Sequence, residues 1–333
     1  MNTEKLNLQP ISFRSDGLAL SGTLTMPRIA TPAPCVVMVH GSGPQDRDGN
    51  IKGFRTDILR YIAEHLAAQG IASLRYDKRG CGQSEGHFGT AGLLEMVGDA
   101  QAAVACAARQ PGICPDRIFV LGHSEGAVLC PDICAGGAFT RGAIMLCASL
   151  RSLEEDLIKN AEVLNRDLKT LKGLKGRLAR WLFYTKDPQA VVASLRQRVE
   201  NTRRRRMWVS FQRVSTKFYR DTFNYNVRQH LVTFRKPILA IGGGKDFQCL
   251  PEDTLEIAEL SQGPVITRIM PDMNHMLRNQ QEEPTMLNYK AQSDEPVLDE
   301  VPRTVAHWVA GFAPLQARGD GGADHGGPSP SAP

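Results

Sequence analysis

The continuous apolar run VVMVH (36–40), followed by the strand-like segments IASLRYD (71–77), RIFVLG (117–122) and GAIMLCA (142–148), constrains this chain more than any other feature. A run that is apolar at nearly every position, rather than at alternate ones, fits a strand covered on both faces. Segments of helical period lie between the runs. From about Gly53 to Gly70 the residues Ile58, Tyr61, Ile62, His65 and Leu66 keep that period until a glycine ends it. Residues Ala91–Arg109 and Glu125–Ala135 predict two more helices. Strands alternating with helices imply a mostly parallel sheet sandwiched between helical layers, the α/β class. Ahead of them, ISFRSDGLALSGTLTMP alternates around Asp16-Gly17 and Ser21-Gly22 and predicts an antiparallel pair.

The rhythm stops near Ser149 and resumes with KPILAIGGG (236–244), a helix from Pro251 to about Leu260, PVITRIM (264–270) and a last amphipathic helix over about Leu298–Phe312. Between the two blocks lie helix formers with a charge at every turn. Residues Arg151–Arg235 hold 20 Lys and Arg against 8 Asp and Glu, a local +12, which leaves 20 against 27, or −7, in the remainder. A basic segment set into an acidic body reads as an insertion with its own role. The expected organisation is a core in two parts, 1–149 and 236–313, a helical cap insertion over 150–235, and a disordered tail over 314–333. The tail's RGD triplet is read as chance in a glycine-rich stretch.

Composition excludes several classes. Hydrophobic residues make up 42% and charged residues 23% of 333, as in ordinary globular proteins. No apolar run reaches the roughly 18 residues a membrane span needs, and the start, MNTEKLNLQP, does not read as a signal peptide. No nucleic-acid recognition module is present. Eight cysteines are scattered singly, without CxxC or a paired Cys/His spacing. They are read as reduced thiols of a cytoplasmic protein, with no metal site and no cofactor.

Within VLGHSEGAV (120–128), Ser124 follows one of the apolar runs directly and precedes a helix. A G-x-S-x-G sequence in that strand–turn–helix setting pushes the serine out of the fold on a strained turn. Elsewhere the same pattern is only a glycine-rich loop. A serine hydroxyl needs a base, and the base an orienting carboxylate. In a sheet of this kind the partners follow in the order acid then histidine, each on the loop after a later strand. GGGKDFQCLPED after the 236–244 run offers Asp246, and PDMNHMLR after the 264–270 run offers His275. His230 falls in the insertion, His307 on a helix and His325 in the tail. Asp253 is better placed to begin the helix after Pro251, and Asp272 is too close to His275 to stand behind it. Two backbone N–H groups for a developing oxyanion are expected from Glu125 and from Ser42 in HGSGPQDRDGN. His40 itself is read as a satisfied core histidine.

These motifs together resemble the α/β-hydrolase superfamily, in particular its serine esterases with an HGSGPQDRD-type oxyanion loop. YDKRGCGQSEG (76–86) resembles the superfamily's D-x-R-G-x-G-x-S turn, GHSEG its elbow, GGGKDFQCLP its acid loop and DMNHML its histidine loop. Cys249 departs from the valine more usual in such acid loops. The resemblance covers roughly 12–312, with the insertion least constrained. It implies an eight-stranded α/β-hydrolase sheet with a helical cap, and carboxylic-ester hydrolysis of a small-molecule substrate. No nucleic-acid or membrane partner is expected. A thioesterase or acyltransferase would share the acyl-enzyme step. A peptidase is disfavoured because neither a propeller nor an amine-binding acidic cluster is recognisable, and a silent binding protein because all three triad positions are intact. The insertion's aromatic residues, among them Trp181, Phe183, Trp208 and Phe211, are expected to divide between its own core and the substrate pocket. The run Arg203–Arg206 reads as a solvated or body-pairing face, with anion recognition as the rival.

Overall fold

Period-two burial sorts the strands' side chains onto two faces. In the computed structural model, which describes residues 6–29, 32–137, 139–209 and 212–312, the body strands are β1 (Asn7–Ser15), β2 (Leu18–Met26), β3 (Ala33–Val39), β4 (Ala72–Tyr76), β5 (Ile113–His123) and β6 (Thr140–Leu146). After β7 (Arg206–Val209) and β8 (Gln212–Ser215) come two more, β9 (Ile238–Gly243) and β10 (Val265–Met270). Eight form one sheet in the order β1-β2-β4-β3-β5-β6-β9-β10. β2 runs antiparallel to both β1 and β4, and the remaining pairings are parallel. This is the α/β-hydrolase sheet.

Val36, Met38, Phe119 and Leu121 point to one face, where they meet α1 (Ile58–Ala68) and, after the single turn of α10 (Tyr289–Gln292), α11 (Glu300–Ala310). Val37, Val39, Ile118 and Val120 point to the other, against α2 (Leu93–Ala108), α3 (Glu125–Gly136) and α9 (Pro251–Leu260). Two cores, one per face, hold the sheet rigid at the strand ends that carry the site.

Two expectations are corrected. The helix predicted from Gly53 begins only at Ile58, because Asn50 Oδ1 accepts the Thr56 and Asp57 N–H groups and holds the preceding turn non-helical. Between β6 and β9 the chain is not purely helical. It forms α4 (Leu153–Thr170), α5 (Gly173–Phe183), α6 (Pro188–Asn201), the antiparallel pair β7–β8, α7 (Thr216–Asn224) and α8 (Val227–Leu231). In β7, Met207 and Val209 alternate with Trp208 and pack on the small core of Leu195, Val199 and Phe223, so a strand serves there better than a helix. Among the described residues no helix is long and apolar enough to cross a membrane. Residues 314–333 lie outside the described residues.

Candidate active site

β5 ends at His123 and α3 begins at Glu125, so Ser124 alone makes the corner, with φ 55° and ψ −118°. A left-handed φ strains a serine, by about 1–2 kcal/mol. The neighbouring glycines allow the corner to close: a Cβ on Gly122 would sit 2.1 Å from the Gly126 carbonyl oxygen, and one on Gly126 would sit 2.4 Å from that of Val39. The Ser124 N–H donates to Leu146 O on the next strand at 2.9 Å.

From the loop after β10, His275 Nε2 accepts the Ser124 Oγ hydrogen bond at 3.0 Å. Its Nδ1 donates to Asp246 Oδ2 at 2.8 Å. The other carboxylate oxygen, Asp246 Oδ1, accepts the N–H groups of Gln248 (2.8 Å) and Cys249 (3.0 Å). The Asp246 side chain is wholly shielded from solvent. Asn274 shapes the histidine turn by accepting the Met276 and Arg278 N–H groups on Oδ1 at 2.9 and 3.1 Å. The rival residues lie apart from this chain of hydrogen bonds. Asp253 pairs with Arg151 at 2.9 Å and accepts the Leu250 N–H at the start of α9. Asp272 is exposed, as is His307 on α11. His230 stacks on Tyr225, and His325 lies outside the described residues.

Two thiols border the site. A ligand atom of Cys249 lies within 4.8 Å of those of Asp246 and His275, and one of Cys147 as close to those of His123 and His275. Burial, then the nearby Asp246 charge, push both thiols well above their ordinary pKa, so they stay protonated and act as packing atoms.

Ser42 lines the same cavity as Ser124, and Glu125 is the first residue of α3. Neither N–H donates to another residue among the described ones. The loop carrying Ser42 is clamped from below. Asp77 takes the backbone N–H of Arg47 at 2.8 Å and its guanidinium at 2.6 Å, and Arg75 pairs with Asp48. Buried Lys78 donates to Gly41 O at 2.6 Å and to Glu125 Oε1 at 3.0 Å. Sequence reasoning saw YDKRG as a family turn and missed these roles; the alternation of acid and base in QDRD and YDKR is the signal that could have revealed them.

His40 is buried with one ring nitrogen on the Tyr76 carbonyl oxygen, its ring edge-on to Tyr76. Its Nδ1 has no partner among the described residues, so it is only half satisfied. Burial, with the Lys78 charge, lowers its pKa to about 3. His123 donates from Nε2 to His275 O at 2.8 Å, and burial lowers its pKa to about 4. Both rings are neutral near pH 7.

The cavity over Ser124 holds about 180 Å3. Phe54, Ile58, Leu59 and Met276 form its apolar wall, and Gln45, Gln248 and Tyr289 its polar one. Trp181, Phe183 and Trp208 are not part of it. They are 79%, 50% and 59% exposed on the insertion, because α5 rests chiefly on α4 and Trp208 alternates outward along β7. Phe211 lies outside the described residues. In the arginine run, Arg206 reaches His87 while Arg203, Arg204 and Arg205 are exposed.

Comparison with known proteins agrees with this architecture. The esterase EstD of Thermotoga maritima is 29% identical over 313 residues, covering 89% of this chain and 68% of EstD. The structure of Est1E from Butyrivibrio proteoclasticus with ferulic acid bound superposes with a TM-score of 0.56 at 17% identity, over 90% of this chain and 96% of that one. The Pyrococcus furiosus esterase Pf2001 does so with a TM-score of 0.54 at 14% identity, over 92% of each chain. The family profile described as serine aminopeptidase, S33, matches residues 51–282. That span exceeds half the chain and takes in Ser124, Asp246 and His275, and the chain belongs to this family of α/β-hydrolases.

Proposed function

We propose that the protein hydrolyses carboxylic esters through an acyl-enzyme on Ser124. The observation that carries this reading is the unbroken chain from Ser124 Oγ through His275 to Asp246, at 3.0 and 2.8 Å. Ser124 Oγ attacks the ester carbonyl carbon while its proton passes to His275 Nε2. The tetrahedral oxyanion meets the N–H groups of Ser42 and Glu125. As the C–O bond to the alcohol breaks, His275 returns that proton to the leaving oxygen. Water then repeats the cycle in reverse and frees Ser124. Asp246 holds His275 in the tautomer that presents a bare Nε2 to the serine.

The family description names an aminopeptidase, and a free-amine substrate needs a carboxylate close to its ammonium. Among the described residues lining the cavity none is acidic, which favours an uncharged ester. EstD, similar over most of this chain, carries the name esterase. A volume of about 180 Å3 is below the roughly 300 Å3 of ordinary ligand pockets, so short acyl groups suit it. We read residues 150–235 as a cap. Arg151, at its start, bonds Gln248 O beside Asp246, and Asp167 on α4 accepts from Thr285 Oγ1 and the Met286 N–H near Tyr289.

A fluorophosphonate probe tests the reading. It should label one site, on Ser124, and abolish turnover of short p-nitrophenyl esters. Labelling elsewhere, or hydrolysis that survives labelling, overturns it. Added alcohol or amine acceptors report whether the acyl group goes to water or to another nucleophile.

A further inference from the structure

Helix α5 leaves its apolar side uncovered. Leu174, Leu178 and Trp181, spaced i, i+4 and i+7, share one face, and are 77%, 55% and 79% exposed. Leu182 extends the stripe, and at about 100° per residue Lys175 and Arg177 fall on its two flanks. The opposite side, with buried Gly176 and with Arg180 donating to Leu168 O and Leu171 O, is the side turned to the protein. Residues 168–186 carry six Lys and Arg and no Asp or Glu. A contiguous apolar surface of this kind marks an interaction site rather than ordinary exposure.

Charge decides which occupant fits. A second copy meeting this face on a two-fold axis would set the same acid-free basic segment against itself. A neutral apolar partner would leave the flanking cations unused. An apolar stripe edged by Lys and Arg, with a Trp on it, matches a surface whose interior is hydrocarbon and whose rim is anionic. We propose that α5 docks the protein onto anionic lipid bilayers, lying in the interface with Leu174, Leu178 and Trp181 inserted and the Lys and Arg side chains among the headgroups. Among the described residues no helix is long and apolar enough to cross a bilayer, and lying on one needs no such helix. The proposal does not depend on the ester-hydrolase reading.

Flotation of the full chain with vesicles tests it. Phosphatidylcholine vesicles containing about one-third phosphatidylglycerol should carry the protein up, pure phosphatidylcholine should carry little, and raised salt should release it. The variant Leu174→Gln/Leu178→Gln/Trp181→Gln should melt at the wild-type temperature and no longer float. The variant Lys175→Gln/Arg177→Gln should bind on the order of thirtyfold more weakly. Anionic vesicles should shift tryptophan emission to the blue, and Trp181→Phe should remove the shift while keeping flotation. Four results overturn the proposal. They are no binding to anionic vesicles, binding unchanged in the glutamine variants, a blue shift that survives Trp181→Phe, and a dimer in solution that the apolar variant dissociates, which would assign the face to a second copy.

Discussion

Lys78 Nζ donates to the Gly41 carbonyl oxygen at 2.6 Å, and that carbonyl shares a peptide unit with the Ser42 N–H. The chain has no cis peptide bond among its described residues, so this C=O and N–H point in opposite directions. The buried ammonium therefore pulls the carbonyl one way and aims the N–H the other, and its positive charge polarises the unit. Its second bond, at 3.0 Å, goes to the side chain of Glu125, the residue whose N–H is the other proposed oxyanion donor. One cation braces both.

On the proposed mechanism, Lys78→Met should lower kcat by about a hundredfold with little change in KM, the size of losing one oxyanion donor. Because the substitution strands a half-buried Glu125 carboxylate, Lys78→Met/Glu125→Gln is the companion variant and should be as slow but more stable. A purely structural role for Lys78 would instead lower the melting temperature of both variants and leave kcat of the folded fraction intact.

Ser124→Ala should remove hydrolysis by on the order of 10⁴-fold or more and fold normally, and His275→Ala should match it, since neither group acts without the other. Asp246→Asn should cost somewhat less than losing the serine, although its amide, with the oxygen kept on the Gln248 and Cys249 N–H groups, turns NH2 toward Nδ1 and favours the tautomer with Nε2 protonated. Steady-state rates for the three, set beside Asp253→Asn and Asp272→Asn, check the choice of acid. A larger loss from either of the latter would displace Asp246.

The elbow makes a steric prediction. A methyl at Gly126 would press on backbone oxygens of β3, which cannot swing aside, so Gly126→Ala should destabilise by about 3 kcal/mol and misplace Ser124. Gly98, inside α2, has open space around its missing Cβ. Gly98→Ala should stabilise by about 0.5–1 kcal/mol through the unfolded chain alone. Thermal melts of the pair, with activity alongside, test whether the glycine is there for room or by chance.

Much of this was legible before any coordinates. Apolar runs bounded by helical periods are local signals, and they report the parallel sheet because its strands are buried on both faces. The positions of Ser124, Asp246 and His275 follow from chain order along that sheet. The cavity wall was not legible. Residue type points to Trp181, Phe183 and Trp208, whereas the wall is built by Phe54, Ile58, Met276 and Tyr289 from separate loops and helix starts. Which apolar residue faces a cavity depends on packing between distant segments, and periodicity carries no trace of that. Lys78 escaped for a similar reason, since the alternation of acid and base in YDKR signals pairing but not which loop the lysine braces. The β7–β8 pair was hidden by its own arginines.

Tyr289 sets a size prediction. Its hydroxyl meets Gln248 Nε2 at 2.5 Å and its ring stacks on Phe247, so it stands as a fixed wall of the small cavity. Tyr289→Ala should open that wall. Relative kcat/KM for hexanoyl over acetyl esters should rise by about tenfold or more, in keeping with 1–3 kcal/mol per pocket-sized change. An unchanged chain-length profile would place the acyl group elsewhere.

Acid should unfold the protein through its buried histidines. His123 and His40 have pKa values lowered to about 4 and about 3 by burial, against 6.5 for the free side chain. Between those values the unfolded chain binds protons that the folded one refuses, so stability must rise with pH across the window. The contribution is whole above about pH 6.5 and is lost as pH falls toward the folded values, on the order of 2 kcal/mol per histidine by pH 5. Carboxylates contribute little between pH 5 and 6.5 unless their own pKa is raised. Asp48, Asp156 and Asp253 are raised by burial, and they act in the opposite sense. Urea melts at pH 7 and pH 5 should therefore differ for the wild type, and His123→Gln, which keeps a donor for the His275 carbonyl, should reduce the difference by close to half. A pH slope untouched by His123→Gln would mean that the ring takes up its proton without unfolding.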